Sequence, residues 1–175
     1  GRQISEAEIE AVTRKLESDN GNIVIIGMPG AGKTSVGRKL AELLDKEFID
    51  ADEYLQLQEG RTTVDIINTD GMESFRQLEI GYAGELMKNK GYVIAMGGGV
   101  VERVKNYDTI RENGYVIHLK RALEDLPTDG RPVSQKDGVQ SIYNRRFKLY
   151  EKWSDVSINN TGIEETASKL ARLFQ

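Results

Sequence analysis

One run of residues in this chain has the types and spacing needed to bind phosphate groups. Residues 27–34 read Gly-Met-Pro-Gly-Ala-Gly-Lys-Thr and match the pattern G-x-x-x-x-G-K-[ST]. Glycines let backbone N–H groups turn toward phosphate oxygens where a Cβ would interfere. The pattern places Lys33 at the β- and γ-phosphates and the Thr34 hydroxyl on Mg²⁺. The sequence therefore predicts a site for ATP and Mg²⁺, built from Gly30, Ala31, Gly32, Lys33, Thr34 and Ser35.

The residues on either side of this loop predict the strand and helix that such a loop requires. Residues 22–27 are mostly apolar, as expected of a buried parallel strand. After the loop, apolar residues recur at helical spacing at Val36, Leu40, Leu43 and Leu44. With strand, loop and helix in this order, the N-terminus of the helix faces the bound anion. A glycine-rich turn that matched the pattern by chance would lack these flanks.

Composition limits the classes of protein to which the chain can belong. Its 175 residues suit one compact domain, and its net charge of −4 argues against a general nucleic-acid or membrane surface. The chain has no cysteine, which excludes disulfides, thiol nucleophiles and Cys-based zinc sites. Nothing resembles a secretory signal or a membrane span. We therefore expect a cytoplasmic protein without nucleic-acid or membrane partners, in which the single histidine, His118, is structural.

Alternating strand and helix patterns predict an α/β fold. Apolar runs predict five strands, at 22–27, 47–50, 92–95, 115–119 and 156–158. Helical patterns fall between them, up to Leu44, at 52–90 with breaks at Gly60 and Gly71, and at 101–113, 139–152 and 164–174. This alternation implies a parallel sheet with helices on both faces. Residues 120–138 are interpreted as a loop because they contain two prolines and an Asp-Gly pair.

Residues 1–20 form a segment of their own. Ser5 and Glu8 fit a capping box, and Ile4 and Ile9 fit a hydrophobic staple, so a helix is expected here. We predict an N-terminal extension helix that is dispensable for activity. It could be a linker from an upstream domain, or it could dock on the main domain or on a second copy.

The remaining motifs, in their order along the chain, resemble those of shikimate kinases, small relatives of the nucleoside monophosphate kinases. The phosphate loop alone would match many unrelated NTPases, but the ordered set is far more specific. The motifs are Gly32-Lys-Thr-Ser-Val-Gly-Arg38-Lys-Leu-Ala, Phe48-Ile-Asp-Ala-Asp52, Gly71-x-x-x-Phe75-Arg76-x-x-Glu79, Gly97-Gly-Gly99, Gly130-Arg-Pro132 and Arg146-x-x-x-Tyr150. The resemblance implies a three-layer fold with a five-stranded parallel sheet in residues 21–175, with a substrate-binding region at 52–90 and a lid at 120–138.

The resemblance also implies an activity and a set of site residues. The activity is ATP-dependent phosphorylation of the 3-hydroxyl of shikimate, by a monomer or by one domain of a larger multidomain chain. Lys33, Asp52 and Arg131 are assigned to catalysis, with Arg131 also at the nucleotide. Mg²⁺ is assigned to Thr34 and, through water, to Asp50. Shikimate is assigned to Asp52, Arg76, Gly97, Gly98, Gly99 and Arg146.

These residue types suit those roles. A carboxylate such as Asp52 can orient an acceptor hydroxyl and accept its proton. Arginines suit bidentate binding of the shikimate carboxylate, and Glu79 lies on the same helical face as Arg76. Three glycines after the third strand let backbone N–H groups approach the substrate, and a lid arginine would offset charge on the transferring phosphoryl group.

Several choices stay open at this point. Arg145 competes with Arg146, although the spacing to Tyr150 favours Arg146, and residues 159–160 are only weakly indicated near the adenine. The lid is short, with eleven residues between Leu119 and Arg131, and an arginine expected at its start is missing. Lys120 or Arg121 could replace that arginine. The alternative functions are a related small-molecule kinase, such as a gluconate kinase, and a nucleotide-binding module without turnover.

Overall fold

The computed structural model describes residues 3–10, 21–126 and 139–175. The predicted lid from residue 127 onward, with Arg131, therefore lies outside the described residues, as do residues 11–20 of the extension. None of the described helices combines the length and apolar composition needed to cross a membrane.

The described strands form one parallel sheet, as the alternating pattern predicted. The strands are β1 (Asn22–Ile26), β2 (Phe48–Asp50), β3 (Val93–Ala95), β4 (Gly114–Lys120) and β5 (Val156–Asn159). Their order across the sheet is β2-β3-β1-β4-β5. Central β1 is paired with β3 and β4, so that Ile23 lies beside Val93 on one side and Tyr115 on the other. All five predicted strands are confirmed, with each bound differing by at most one residue.

The helices pack on both faces of this sheet. They are α1 (Lys33–Leu44), α2 (Ala51–Glu59), α3 (Thr63–Asp70), α4 (Met72–Leu86), α5 (Lys105–Asn113), α6 (Val139–Trp153) and α7 (Ile163–Leu173). The predicted breaks at Gly60 and Gly71 are confirmed, since both residues have a positive φ that favours glycine. The predicted helix over 101–113 is wrong at its start, because residues 98–102 form a 3₁₀ turn first.

Successive residues of β1 bury their side chains on opposite faces of the sheet. Val24 and Ile26 belong to a core cluster that includes residues of α4 and α6. Ile23 and Ile25 belong to a second cluster with residues of α1 and α7. A third, smaller cluster joins α2, α3 and α4 through Leu55, Ile66 and Phe75. This third cluster fixes the helices that carry the acidic and basic residues of the predicted substrate region.

The described part of the N-terminal segment docks on the main domain. Residues 6–10 are helical, and the predicted capping pair is present: Ser5 N donates to Glu8 Oε2 at 2.8 Å and Glu8 N donates to Ser5 Oγ at 3.2 Å. Ile4 and Ile9 pack, partly buried, against the cluster that includes residues of α1 and α7. Of the docking alternatives, this arrangement favours the one on the main domain.

Candidate active site

The predicted phosphate loop joins β1 to α1 and has the backbone shape that phosphate binding requires. Gly30 and Gly32 have φ values of 85° and 98°, which residues with a Cβ rarely adopt. Lys33 folds back over the loop, and its Nζ donates to the carbonyl oxygens of Gly27 and Met28, both at 2.8 Å. The loop ends in the N-terminus of α1, whose backbone N–H groups and dipole favour an anion.

Two oxygen ligands suited to Mg²⁺ lie next to this loop. The Thr34 hydroxyl donates to Asp50 Oδ2, and Asp50 Oδ1 accepts the backbone N–H of Glu53 at 3.0 Å, which caps α2. In the described part of the chain, no group of three or more His, Cys, Asp or Glu residues could hold a metal. A single carboxylate beside a hydroxyl nevertheless fits Mg²⁺, which is usually held by one or two carboxylates together with nucleotide phosphates and water.

Asp52 lies in the first turn of α2. β2 ends at Asp50, where the sequence predicts the strand to end, and α2 begins at the next residue. Asp52 is half-buried against Gly97, where a Cβ would come within 2.5 Å of its Oδ1. Burial and the neighbouring charge of Asp50 raise the pKa of Asp52, while Lys33 and Arg76 act in the opposite direction. Asp50 and Asp52 line the same cavity as the cations Lys33 and Arg76.

Arg76 and Glu79 form a buried ion pair on α4. Arg76 Nη1 donates to Glu79 Oε1 at 3.0 Å, and the two side chains are only 4% and 8% exposed. Burial raises the pKa of Glu79 to about 7, with Arg76 opposing and Asp52 adding to the shift. A Cβ at Gly99 would overlap the Arg76 guanidinium, so a larger residue there would displace Arg76. The predicted pairing of Arg76 with Glu79 is thus present, and it is buried rather than at the surface.

Arg146 on α6 is the second buried guanidinium. Its Nε donates to Glu102 Oε1 at 3.0 Å, and its side chain is 1% exposed. Its Nη2 has no hydrogen-bond partner among the described residues. Arg145 also donates to Glu102, at 3.2 Å, but is 43% exposed and does not line the cavity. Burial would raise the pKa of Glu102, but Arg146 and Arg145 together hold it below its usual range.

One cavity of about 430 Å³ is lined by the phosphate loop, both aspartates, Arg76, Glu79 and Arg146. The structure brings together every predicted site residue except two: Ala31, which is buried in the core, and Arg131, which lies outside the described residues. A larger cavity of about 980 Å³ lies beside the N-terminal segment, β5 and α7, and contains none of the predicted site residues. We place the chemistry in the smaller cavity, which is lined by Gly30, Gly32, Lys33, Thr34, Ser35, Asp50, Asp52, Arg76, Gly97, Gly98, Gly99 and Arg146, among others.

Sequence reasoning missed three contacts that shape the site. Glu102 holds Arg146, although 44 residues separate them and no local pattern links them. Asn160 Nδ2 donates to the Ala31 carbonyl at 2.8 Å, so this residue contacts the phosphate loop itself. Arg121 Nη1 donates to the Gly30 carbonyl at 2.8 Å. His118 does not line the cavity; it is buried and bonded to Glu151, as expected of a structural residue.

Comparison with known sequences identifies the chain's relatives. A family model described as shikimate kinase matches residues 29–174. The shikimate kinase of Clostridium botulinum (strain Okra / Type B1) is 32% identical over 88% of this chain and 96% of its own length. That of Clostridium beijerinckii is 35% identical over 79% of this chain and 85% of its own length.

Comparison with solved structures agrees. A shikimate kinase from Acinetobacter baumannii in complex with shikimate has a TM-score of 0.82 and 30% identity, covering 92% of this chain and 96% of its own. A shikimate kinase from Aquifex aeolicus, at 24% identity and a TM-score of 0.77 over 87% of this chain and 95% of its own, shows the same fold. With a phosphate loop, a buried arginine pair and matches over most of its length, this chain belongs to the shikimate kinase family.

Proposed function

We propose that this protein transfers the γ-phosphoryl group of ATP to the 3-hydroxyl of shikimate, giving shikimate 3-phosphate and ADP in aromatic amino-acid biosynthesis. Membership of the family supports the reaction, and the similar A. baumannii protein was solved with shikimate bound. The observation that carries the substrate is the buried arginine pair Arg76 and Arg146, which shares a cavity with the phosphate loop.

The carboxylates of the protein compensate the charge of the arginine pair only in part. Arg76 and Arg146 carry two positive charges in nearly complete burial, and Arg146 Nη2 is without an acceptor among the described residues. A buried guanidinium is stable only when its charge is compensated and its N–H groups are bonded. Glu102 and Glu79 compensate part of the positive charge. The pKa of Glu79, about 7, leaves its carboxyl group partly protonated at neutral pH. A carboxylate on the acceptor, as in shikimate, would complete the set through bidentate hydrogen bonds.

The phosphate end of the cavity suits a nucleotide. We assign the triphosphate to the loop N–H groups and to Lys33, which would exchange its bonds to loop carbonyls for phosphate oxygens. Thr34 and, through water, Asp50 would hold Mg²⁺, which, when bound, neutralises charge on the phosphates. Asp50 is already fixed by its cap on α2, so the metal ligand needs little reorganisation.

Asp52 stands between the two ends and is assigned to the acceptor hydroxyl. Its carboxylate would hold the 3-hydroxyl in line with the γ-phosphorus and accept its proton as the new O–P bond forms. The bond from the γ-phosphorus to the β–γ bridging oxygen breaks, and that oxygen leaves with ADP. The raised pKa of Asp52 makes it a better proton acceptor than an ordinary carboxylate. No covalent enzyme intermediate is required, because positioning and charge neutralisation supply the catalysis.

The remaining assignments complete the proposal. Arg131 of the lid, outside the described residues, would reach the transferring phosphoryl group when the lid closes. Gly97, Gly98 and Gly99 would lie along the substrate, and Tyr150 supports them by donating to the Gly98 carbonyl at 2.6 Å. We further propose that the protein acts as a cytoplasmic monomer without nucleic-acid partners, and that residues 1–20 form an extension outside the kinase domain of residues 21–175.

A coupled assay of ADP release tests the reaction directly. Purified protein is supplied with ATP and Mg²⁺ together with shikimate, gluconate or no acceptor, and the product is identified by mass and by ³¹P NMR. We expect ADP release with shikimate alone, with the phosphate on the 3-oxygen. An equal rate of ADP release with gluconate, or a rate that is the same with and without an acceptor, would contradict the proposed function.

A further inference from the structure

Arg121 follows β4 directly and reaches back over the phosphate loop. Its Nη1 donates to the carbonyl oxygen of Gly30 at 2.8 Å. The exposed side chain lines the same 430 Å³ cavity as Lys33 and Thr34. Arg121 belongs to none of the motifs that relate this chain to its family, and the sequence indicates it only as one of two residues, with Lys120, that could replace an arginine missing from the start of the lid.

The charge of Arg121 is uncompensated within the described part of the chain. Arg76, Arg111, Arg145 and Arg146 each pair with a carboxylate there, whereas no described Asp or Glu forms an ion pair with Arg121. A guanidinium carries five N–H donors in a planar fork, and the bond to Gly30 uses one nitrogen. Several donors and a full charge therefore remain at the rim of the cavity in a protein whose net charge is −4.

The structure around Arg121 holds it in this position. The carbonyl of the preceding residue, Lys120, accepts the backbone N–H of Asn160 at 2.7 Å. Asn160 in turn donates through Nδ2 to the Ala31 carbonyl at 2.8 Å. Side chains from the ends of β4 and β5 thus hold two consecutive loop carbonyls, those of Gly30 and Ala31. Both bonds go to carbonyl oxygens rather than to loop N–H groups, and they bring the Arg121 guanidinium against the phosphate loop.

We propose that Arg121 is a nucleotide-binding residue that acts as a second cation, alongside Lys33, on the phosphates of the bound nucleotide. The inference rests on the proposed function only in that the nucleotide is ATP or ADP. A planar guanidinium can bind two phosphate oxygens at once, which an ammonium group cannot do. Its bond to Gly30 orients the fork before the nucleotide arrives, so less side-chain entropy is lost on binding.

The test compares two neighbouring charge removals, Arg121→Gln and Lys120→Gln. Lys120 lines the other, larger cavity, so its substitution changes net charge equally without touching the phosphate loop. The dissociation constant of ADP is measured by calorimetry, without acceptor, at about 50 and about 300 mM salt. We expect Arg121→Gln to raise it about 5- to 10-fold at the lower salt and less at the higher, since exposed charge pairs are screened. Lys120→Gln should change it by about twofold or less.

Two further readouts separate this role from a merely structural one. Arg121→Lys keeps the charge and should recover part of the ADP affinity, while shikimate binding measured without nucleotide should be unchanged in all three variants. Equal losses in Arg121→Gln and Lys120→Gln, no loss in either, or a loss that salt does not alter would each overturn the proposal. The last result would mean that Arg121 only shapes the loop. A wild-type protein that binds ADP but does not phosphorylate shikimate would contradict the proposed function alone.

Discussion

The two ends of the candidate active-site cavity are built in opposite ways. The phosphate end is a single stretch, residues 27–35, in which backbone N–H groups and one lysine provide the binding groups. The acceptor end collects charged side chains from α2, α4 and α6, together with glycines that follow β3. The first is specified by local sequence and suits any nucleoside triphosphate. The second depends on tertiary packing, and it is where selectivity for one acceptor can reside.

The difference predicts separable effects of mutation. Changes at the phosphate end should impair turnover with any acceptor, because the γ-phosphoryl group is no longer held. Changes at the buried arginines should weaken one acceptor while nucleotide binding stays intact. Changes outside both ends should affect stability more than catalysis.

The largest effect is expected for Lys33→Ala. Lys33 is the single cation of the phosphate loop, and its loss removes charge stabilisation from the transferring group. We expect kcat to fall about 10³-fold or more, with the far-UV circular dichroism spectrum unchanged. The coupled assay at saturating ATP and shikimate measures it. A variant with near wild-type turnover would refute the phosphate-loop assignment.

Asp52→Asn should follow in size, because it keeps the shape of the side chain but removes its charge and basicity. We expect kcat to fall about 10²- to 10⁴-fold while the dissociation constant of ADP stays within about twofold. In the wild type, the raised pKa of Asp52 should also move the acidic limb of the kcat–pH profile above that of an ordinary aspartate. Unchanged kcat at saturating shikimate would show that Asp52 is not the proton acceptor.

Arg146→Ala, with Arg145→Ala as a matched control, tests the acceptor end. Loss of a charge-assisted hydrogen bond in a buried site corresponds to a roughly 10- to 100-fold rise in the dissociation constant of shikimate. Arg145 is exposed and does not line the cavity, so its substitution should have an effect of about twofold or less. Arg76→Ala should resemble Arg146→Ala. Equal dissociation constants of shikimate for Arg145→Ala and Arg146→Ala would show that Arg146 does not bind the carboxylate of the acceptor.

Glu79→Gln should show how burying an ionised Glu79 at the acceptor end lowers the stability of the fold. The pKa of Glu79 is raised from its ordinary 4.5 to about 7, so the folded protein retains a proton that the unfolded chain releases. The associated stability is present below pH 4.5 and is lost as pH rises toward 7. We expect the free energy of unfolding of the wild type, relative to Glu79→Gln, to fall by about 1–3 kcal/mol between pH 4.5 and 8. Urea titrations across this range measure it, and a constant difference would contradict the shift.

The smallest catalytic effect is expected from deleting residues 1–20. The described part of this segment contacts the domain through Ile4 and Ile9, away from the 430 Å³ cavity. Partial burial of two isoleucines supports a loss of about 1–2 kcal/mol in stability. kcat/KM for shikimate should stay within about twofold of wild type. A large loss in kcat/KM would mean that the segment supports the active site.

The sequence predicts the phosphate end better than the acceptor end, for a physical reason. The loop, its strand and its helix are consecutive, so residue type and spacing determine them directly. Arg76 and Glu79 lie one turn apart and could likewise be paired from sequence. The contact of Arg146 with Glu102 depends instead on how α6 packs beside a 3₁₀ turn 44 residues earlier. The position of Asp52 follows from the local sequence, because α2 begins directly at the end of β2, where Asp50 caps it.

The central claim is that the buried arginines recognise the carboxylate of the acceptor. Its most direct test is a thermodynamic cycle that compares shikimate with its methyl ester in the wild type and in Arg146→Ala. We predict that the wild type favours shikimate in kcat/KM by about 100-fold, and that Arg146→Ala reduces this preference at least about tenfold. The same preference in both proteins would show that the carboxylate is bound elsewhere and would contradict the account.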